Sequence, residues 1–234
     1  MLGALILTGV SWLLFSFVLK KNFFQEWFSP LSEKVIQIFI GIVLAIVAFI
    51  IPITIKTAIY SIEWSISENL SIVTLFEAFY FYLKSVLFEE LVFRGALLSL
   101  LIVYIKERNA VLISAIVFGI YHWFSYGMIG SGLVPMTYVF IVTGSMGWVW
   151  AYIYSKTNSI VMPVAIHLAW NFTSSLVLDY NPFGELLLSS SYESNYSEII
   201  DFLIQFGGEL LSVLLIVSMF TYYHKKSRIN NPAF

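Results

Sequence analysis

Leu87-Phe88-Glu89-Glu90-Leu91-Val92-Phe93-Arg94-Gly95 sets three ionisable side chains into otherwise apolar sequence. At the centre of a membrane helix an uncompensated charge costs roughly 2.5 to 3.5 kcal/mol on insertion scales, so such a run marks function rather than packing. On a helix, Glu90 and Arg94 lie four residues apart on one face and can form an ion pair within a turn. Glu89 points about 100° away from Glu90 and has no partner in its own helix. An unpaired carboxylate of this kind is suited to act as a general base. In a soluble protein the same letters would describe a solvated helix face with an ordinary ion pair, and the composition around them argues against that.

The chain of 234 residues is 59% hydrophobic and 11% charged, with a mean hydropathy of +0.87. An average soluble domain carries about 25% charged residues, so the sequence is that of an integral, multi-pass membrane protein. A net charge of −2 supplies no polybasic surface and excludes nucleic acid as a partner. The absence of cysteine excludes disulfides, thiolate catalysis and Cys-ligated metals. Aromatic residues at 18% fit lipid-facing packing and the membrane interfaces.

Outward from the acidic stretch, residues 71–104 contain no Pro and a single Gly, which predicts one long helix or two closely joined ones. Residues 2–19 precede Lys20-Lys21 and read as a first span rather than a cleaved signal, whose positive charges would come before the apolar run. Residues 35–55 form a second span with Pro52 near its far end, followed by a mixed, interfacial stretch over 56–69. Further spans fall at 110–124, 133–154, 160–178 and 210–223, with a loop over 179–208. The expected fold is all-α, a polytopic transmembrane bundle of about seven to eight helices: seven crossings, or eight if 71–104 is a hairpin. Residues 1–234 read as a single membrane-embedded domain whose motif-bearing core covers about 71–178.

In the seven-span arrangement Lys20, Lys21, Lys34, Lys106, Arg108, Lys156, Lys225, Lys226 and Arg228 share one side. The loop on the other side holds Glu185, Glu193, Glu198 and Asp201 and no Lys or Arg. The positive-inside rule then puts the N-terminus outside and the C-terminus in the cytoplasm.

Two histidines sit inside apolar spans. His122 follows Gly119, a residue that lets a neighbouring helix approach closely, and His167 is followed four residues later by Asn171 on the same face. Either histidine alone would be an ordinary core residue bonded to a backbone carbonyl. Six polar groups on three spans (Glu89, Glu90, Arg94, His122, His167 and Asn171) should instead face one another or a wet cavity. A base, histidines and a donor pair are the parts needed to hydrolyse an amide. Glu89 could take a proton from water that His122 holds, while His167 and Asn171 stabilise the oxyanion. No serine lies in a nucleophile-elbow context. Two alternatives compete: a zinc-dependent membrane hydrolase using Glu89, His122 and His167, and a non-catalytic immunity or scaffold protein that binds a membrane peptide. A transporter is disfavoured, because no paired interrupted helices occur in two matching halves.

Glu89-Glu90-x-x-x-Arg94, Phe118-x-x-x-His122 and His167-x-x-x-Asn171, in this order within hydrophobic helices, resemble the three motifs of the CAAX protease and bacteriocin-processing (CPBP, or Abi) family of intramembrane glutamic endopeptidases. The resemblance covers roughly residues 71–178, with all six positions filled. It implies a multi-helix membrane protease with no metal and no cofactor, in which Glu89 and His122 activate water and His167 and Asn171 form the oxyanion hole. Glu90 and Arg94 are then supporting residues. The implied substrates are membrane-associated proteins or peptides: CAAX-type processing, peptide maturation or bacteriocin-related cleavage. Short loops and a compact chain favour a bacterial plasma-membrane member. Glu89 and His122 are expected nearer the extracytoplasmic ends of their helices, which suits a membrane-borne or exported peptide.

Overall fold

The computed structural model describes residues 2–68, 70–179 and 182–230. Helix α1 (Leu2–Leu13) runs on through a π-helical turn, Leu14–Val18, and is followed by the short α2 (Phe23–Phe28) and the long α3 (Leu31–Tyr60). Then come β1 (Glu63–Ile66), α4 (Ile72–Phe93), α5 (Ala96–Ile105), α6 (Glu107–Ser125), α7 (Leu133–Thr157), α8 (Val161–Val177), β2 (Leu188–Ser191) and α9 (Glu198–Asn230). The fold is an all-α helical bundle with one small antiparallel strand pair, Glu63 opposite Ser191 through Ile66 opposite Leu188. Helices α3, α7 and α9 are long and apolar enough to cross a membrane. Helix α4 has the length but carries Glu77, Lys84, Glu89 and Glu90.

The segment 71–104 is two helices, broken at Arg94-Gly95, and it is not a hairpin. Gly3 of α1 packs against Phe88, and Ser11, two turns further on, packs against Gly95 and Ala96. α1 therefore runs alongside α4 and then α5 in one direction, and α5 extends the path of α4. A side chain at Gly95 would run into the Leu91 carbonyl and Ser11, so the joint requires glycine. Ten residues of α5 rise about 15 Å, half of a hydrocarbon core, and add no crossing of their own. α1, α3, the α4–α5 run, α6, α7, α8 and α9 are the seven helical runs that the sequence reading took as crossings; among the described residues α3, α7 and α9 are the three both long and apolar enough for one.

Lys34 and Lys156 lie at one end of the bundle, and Lys56 lies at the other. At the first, Lys156 pairs with Glu107 at 2.6 Å, and Ser159 donates to the Trp27 carbonyl at 2.9 Å. Gln25, Lys34, Lys156 and Tyr223 line one polar hollow there. At the opposite end lie the strand pair and Tyr60, whose hydroxyl donates to Asp201 at 2.8 Å. Among the described residues three apolar clusters fill the interior: Leu44, Ala45, Met146, Trp150, Ile166 and Phe220 between α3, α7, α8 and α9; Phe15, Trp27, Leu98, Val111 and Tyr154 between the π-helical turn, α2, α5, α6 and α7; and a smaller one of Ala78 and Tyr82 of α4 with Leu186. Large apolar side chains such as Phe17, Phe39 and Phe76 point outward, as lipid-facing residues do.

One boundary departs strongly from the sequence reading. α9 begins at Glu198 rather than near 210, so much of the expected loop is helix. Glu198 and Asp201 in the first turn complement the helix dipole. Gly207 and Gly208, at the end of that expected loop, are helical, and Gly208 faces Pro52 of α3. The extension brings Glu209 inside the bundle.

Candidate active site

The α6–α7 contact sets the site's depth. A Cβ at Gly119 would meet Phe140 at 2.8 Å, and one at Gly147 would meet Phe118 at 2.7 Å. The two helices therefore approach closely enough for Phe118 to lie under the Arg94 guanidinium, 4.1 Å from the ring centre. Arg94 and Glu90 are fully buried. Arg94 Nη1 donates to Glu90 Oε1 at 3.0 Å, and Nη2 donates to the Gly147 carbonyl at 2.9 Å. Replacing Gly147 by Ala should push Phe118 off the guanidinium. We expect a loss of about 1 to 3 kcal/mol by overpacking, read as a lower Tm in detergent, and an unchanged Tm would contradict this packing account.

Glu90 Oε1 accepts a second hydrogen bond, from His167 Nδ1 at 2.8 Å. The ring of His167 stacks on Trp150, with centroids 5.6 Å apart, and its Nε2 lies 3.8 Å from Glu89 Oε2. That gap is beyond a hydrogen bond and within reach of a small adjustment or one bridging water. Glu89 accepts from Ser85 Oγ at 3.2 Å, one turn back on α4. On α6, His122 Nδ1 bonds the Phe118 carbonyl at 2.8 Å. A carbonyl can only accept, so Nδ1 carries the proton and Nε2 of the neutral ring is left as an acceptor.

Glu89, His122, His167 and Asn171 line a single cavity of about 630 Å³. Glu90 and Arg94 do not line it; they stand behind His167. The structure thus brings the six sequence candidates together in two layers, four facing the cavity and two supporting them. The remaining lining includes Ser85, Tyr126, Tyr138, Trp150, Gln205 and Glu209, none of which the sequence reading singled out. Glu209 left a readable trace, an acidic residue directly abutting the apolar run that begins at 210. The tyrosines did not, since aromatics are common throughout the chain.

The cavity walls come from the middle and second half of α4, the end of α6, the first two-thirds of α7, the middle and second half of α8 and the start of α9, so the chamber extends toward the end that carries the strand pair. Glu89 itself sits midway along the α4–α5 run rather than near its outer end, whereas His122 lies in the last turn of α6. The zinc alternative lacks a ligand set: among the described residues no group of three or more His, Cys, Asp or Glu is placed to hold a metal ion.

Residues 71–173 match the family model described as type II CAAX prenyl endopeptidase Rce1-like. Over these residues the chain is similar to the Rce1-like family. The match takes in all three motifs and is consistent with the CPBP resemblance carried by them. The match is to an endopeptidase family and covers less than half of the chain; the long apolar helices fit a membrane protein. No curated protein and no solved structure matches the chain. The Rce1-like match ends before α9, so Gln205 and Glu209 lie outside it.

Proposed function

We propose that the protein is a metal-independent glutamic endopeptidase of the membrane, cleaving a peptide bond in a membrane-associated protein or peptide. The observation that carries this is the convergence of Glu89, His122, His167 and Asn171 from three helices on one cavity. Water held by His122 Nε2 gives its proton to Glu89 as its oxygen attacks the scissile carbonyl. The tetrahedral oxyanion is stabilised by the Asn171 amide and by His167 Nε2–H. As the C–N bond breaks, Glu89 returns the proton to the leaving amine.

His167 is held between the two carboxylates. Nδ1 donates to Glu90, which orients the ring, and Nε2 is turned toward Glu89. Arg94 pairs with Glu90 from the other side, so the fully buried carboxylate is compensated, as a low-dielectric interior requires.

The finer features follow from placement. With the end that holds Lys34 and Lys156 in the cytoplasm, the cavity extends toward the extracytoplasmic side, which fits a membrane-borne or exported peptide in a bacterial plasma membrane. The test is hydrolysis of a hydrophobic fluorogenic peptide by purified protein in detergent. Turnover is expected to survive chelators, and Asn171→Ala is expected to lower kcat by about 10²- to 10³-fold with KM little changed. Turnover that chelators abolish and zinc restores would overturn the metal-free mechanism, and full activity of Asn171→Ala would remove it from the oxyanion hole.

A further inference from the structure

Glu209 is the one carboxylate in the cavity that the proposed chemistry leaves unused. It lies three turns into α9, beyond the family match, and lines the chamber together with Glu89. Its recorded hydrogen bond is from a neutral amide, Gln205 Nε2, to Oε1 at 3.2 Å. The Gln205 carbonyl oxygen accepts in turn from Lys56 Nζ at 3.1 Å. Lys56 is therefore one side chain removed from Glu209; it does not line this cavity, but it shares a neighbouring hollow with Glu209. Among the described residues the cavity wall contains no Lys or Arg.

Glu90 is matched by Arg94, and Glu89 faces His167. Glu209 bonds a neutral amide, and the cation that acts on it, Lys56, is held on the far side of that amide and does not line the catalytic cavity, where an intramembrane carboxylate calls for a cation. Tyr126 and Tyr138 line the same chamber and lie within electrostatic range of Glu209, and Trp170 lines it too. A carboxylate among aromatic rings is a receptor for ammonium or guanidinium, which gains from ion pairing and from the ring faces together.

We propose that Glu209 is a specificity residue that binds a cationic group of the substrate: a Lys or Arg side chain close to the scissile bond, or a free N-terminal ammonium. This rests on the peptidase reading of the cavity. Trp170, Ser174, Gln205 and Glu209 line both the catalytic chamber and a neighbouring hollow between α3, α8 and α9. The cation therefore sits on the α8–α9 side, beside the wall that carries Asn171. A peptide ending in a carboxylate at this position would be repelled.

The experiment measures binding and hydrolysis of matched hydrophobic peptides in nanodiscs, carrying Lys, Arg or norleucine at one position, each with a free or an acetylated N-terminus. Binding is measured on Glu89→Gln protein, so it does not depend on turnover. The Lys or Arg peptide, or the free-amine peptide, is expected to bind about 10- to 100-fold more tightly than its neutral counterpart, and Glu209→Gln should erase that difference. Whichever arm loses affinity identifies the source of the cation. Glu209→Lys should reverse the preference toward a peptide with Glu at the same position, a readout that a merely structural role would not move. Equal binding of all peptides to protein with Glu209 intact overturns the inference, even if Glu209→Gln fails to fold. Charge-dependent binding without hydrolysis leaves this site standing and counts against the catalytic reading. Hydrolysis indifferent to charge does the opposite.

Discussion

Glu89→Gln protein is expected to fold normally and to hydrolyse peptide about 10²- to 10⁴-fold more slowly than the unaltered chain, the range that a positioned general base contributes. The substitution isolates the base because little else changes. Glu89 is 8% exposed and mostly enclosed, and glutamine has the same length and nearly the same volume. Its amide oxygen can still accept the 3.2 Å hydrogen bond from Ser85. What disappears is the capacity to take a proton from water, along with the negative charge 3.8 Å from His167 Nε2. Single-turnover hydrolysis and a detergent melting curve, measured on the same preparation, separate the two effects. Unchanged turnover at normal stability would favour the non-catalytic immunity or scaffold reading. A large drop in Tm would mean that Glu89 is a structural partner of His167. Glu89→Asp should fall between, since it keeps the charge but withdraws it by one methylene from a site where misplacement by about 1 Å can cost 10²-fold.

The sequence exposes those parts of this site whose signal is local. A spacing of four puts Glu90 beside Arg94 and His167 beside Asn171, and the apolar setting makes every ionisable group conspicuous. The same locality explains what stayed hidden. The bond from His167 Nδ1 to Glu90 joins residues 77 apart in the chain, and no periodicity records it. It matters, because it orients the His167 ring through Nδ1 and turns Nε2 toward Glu89. The pairing of β1 with β2 is likewise non-local, and strands of four residues leave almost no pattern. The helix break at Gly95 depends on contact with Ser11, and the early start of α9 fell inside the expected loop over 179–208, where Gly208 packs on Pro52 of the neighbouring α3. Glu209 was missed for that reason alone: a residue read as the end of a loop is one turn from Gln205 on a helix face that looks into the chamber.

The dependence of His167 on Glu90 leads to the largest stability effect. Arg94 makes an ion pair at 3.0 Å, a carbonyl contact at 2.9 Å and a ring contact at 4.1 Å, all without solvent. Arg94→Ala removes the three together and leaves Glu90 a buried carboxylate with His167 as its remaining partner, so a loss of about 3 to 5 kcal/mol is expected. Arg94→Lys should recover only part, because a single ammonium on a flexible stem cannot reproduce a planar fork that meets Glu90 and Gly147 at once while lying on Phe118. Stability and function can then be pulled apart by removing both charges. A double variant, Glu90→Leu with Arg94→Met, replaces the pair with apolar groups of similar size, and such replacements are often neutral or stabilising. Its Tm should return toward that of the unaltered protein. Its activity should not, because His167 Nδ1 has lost the acceptor that orients the ring; kcat is expected to stay down by about 10²- to 10³-fold, the cost of a lost oxyanion donor. A double variant that recovered both would reduce the Glu90–Arg94 pair to scaffolding and detach His167 from it, while an Arg94→Ala protein with an unchanged Tm would show that the pair carries neither burden.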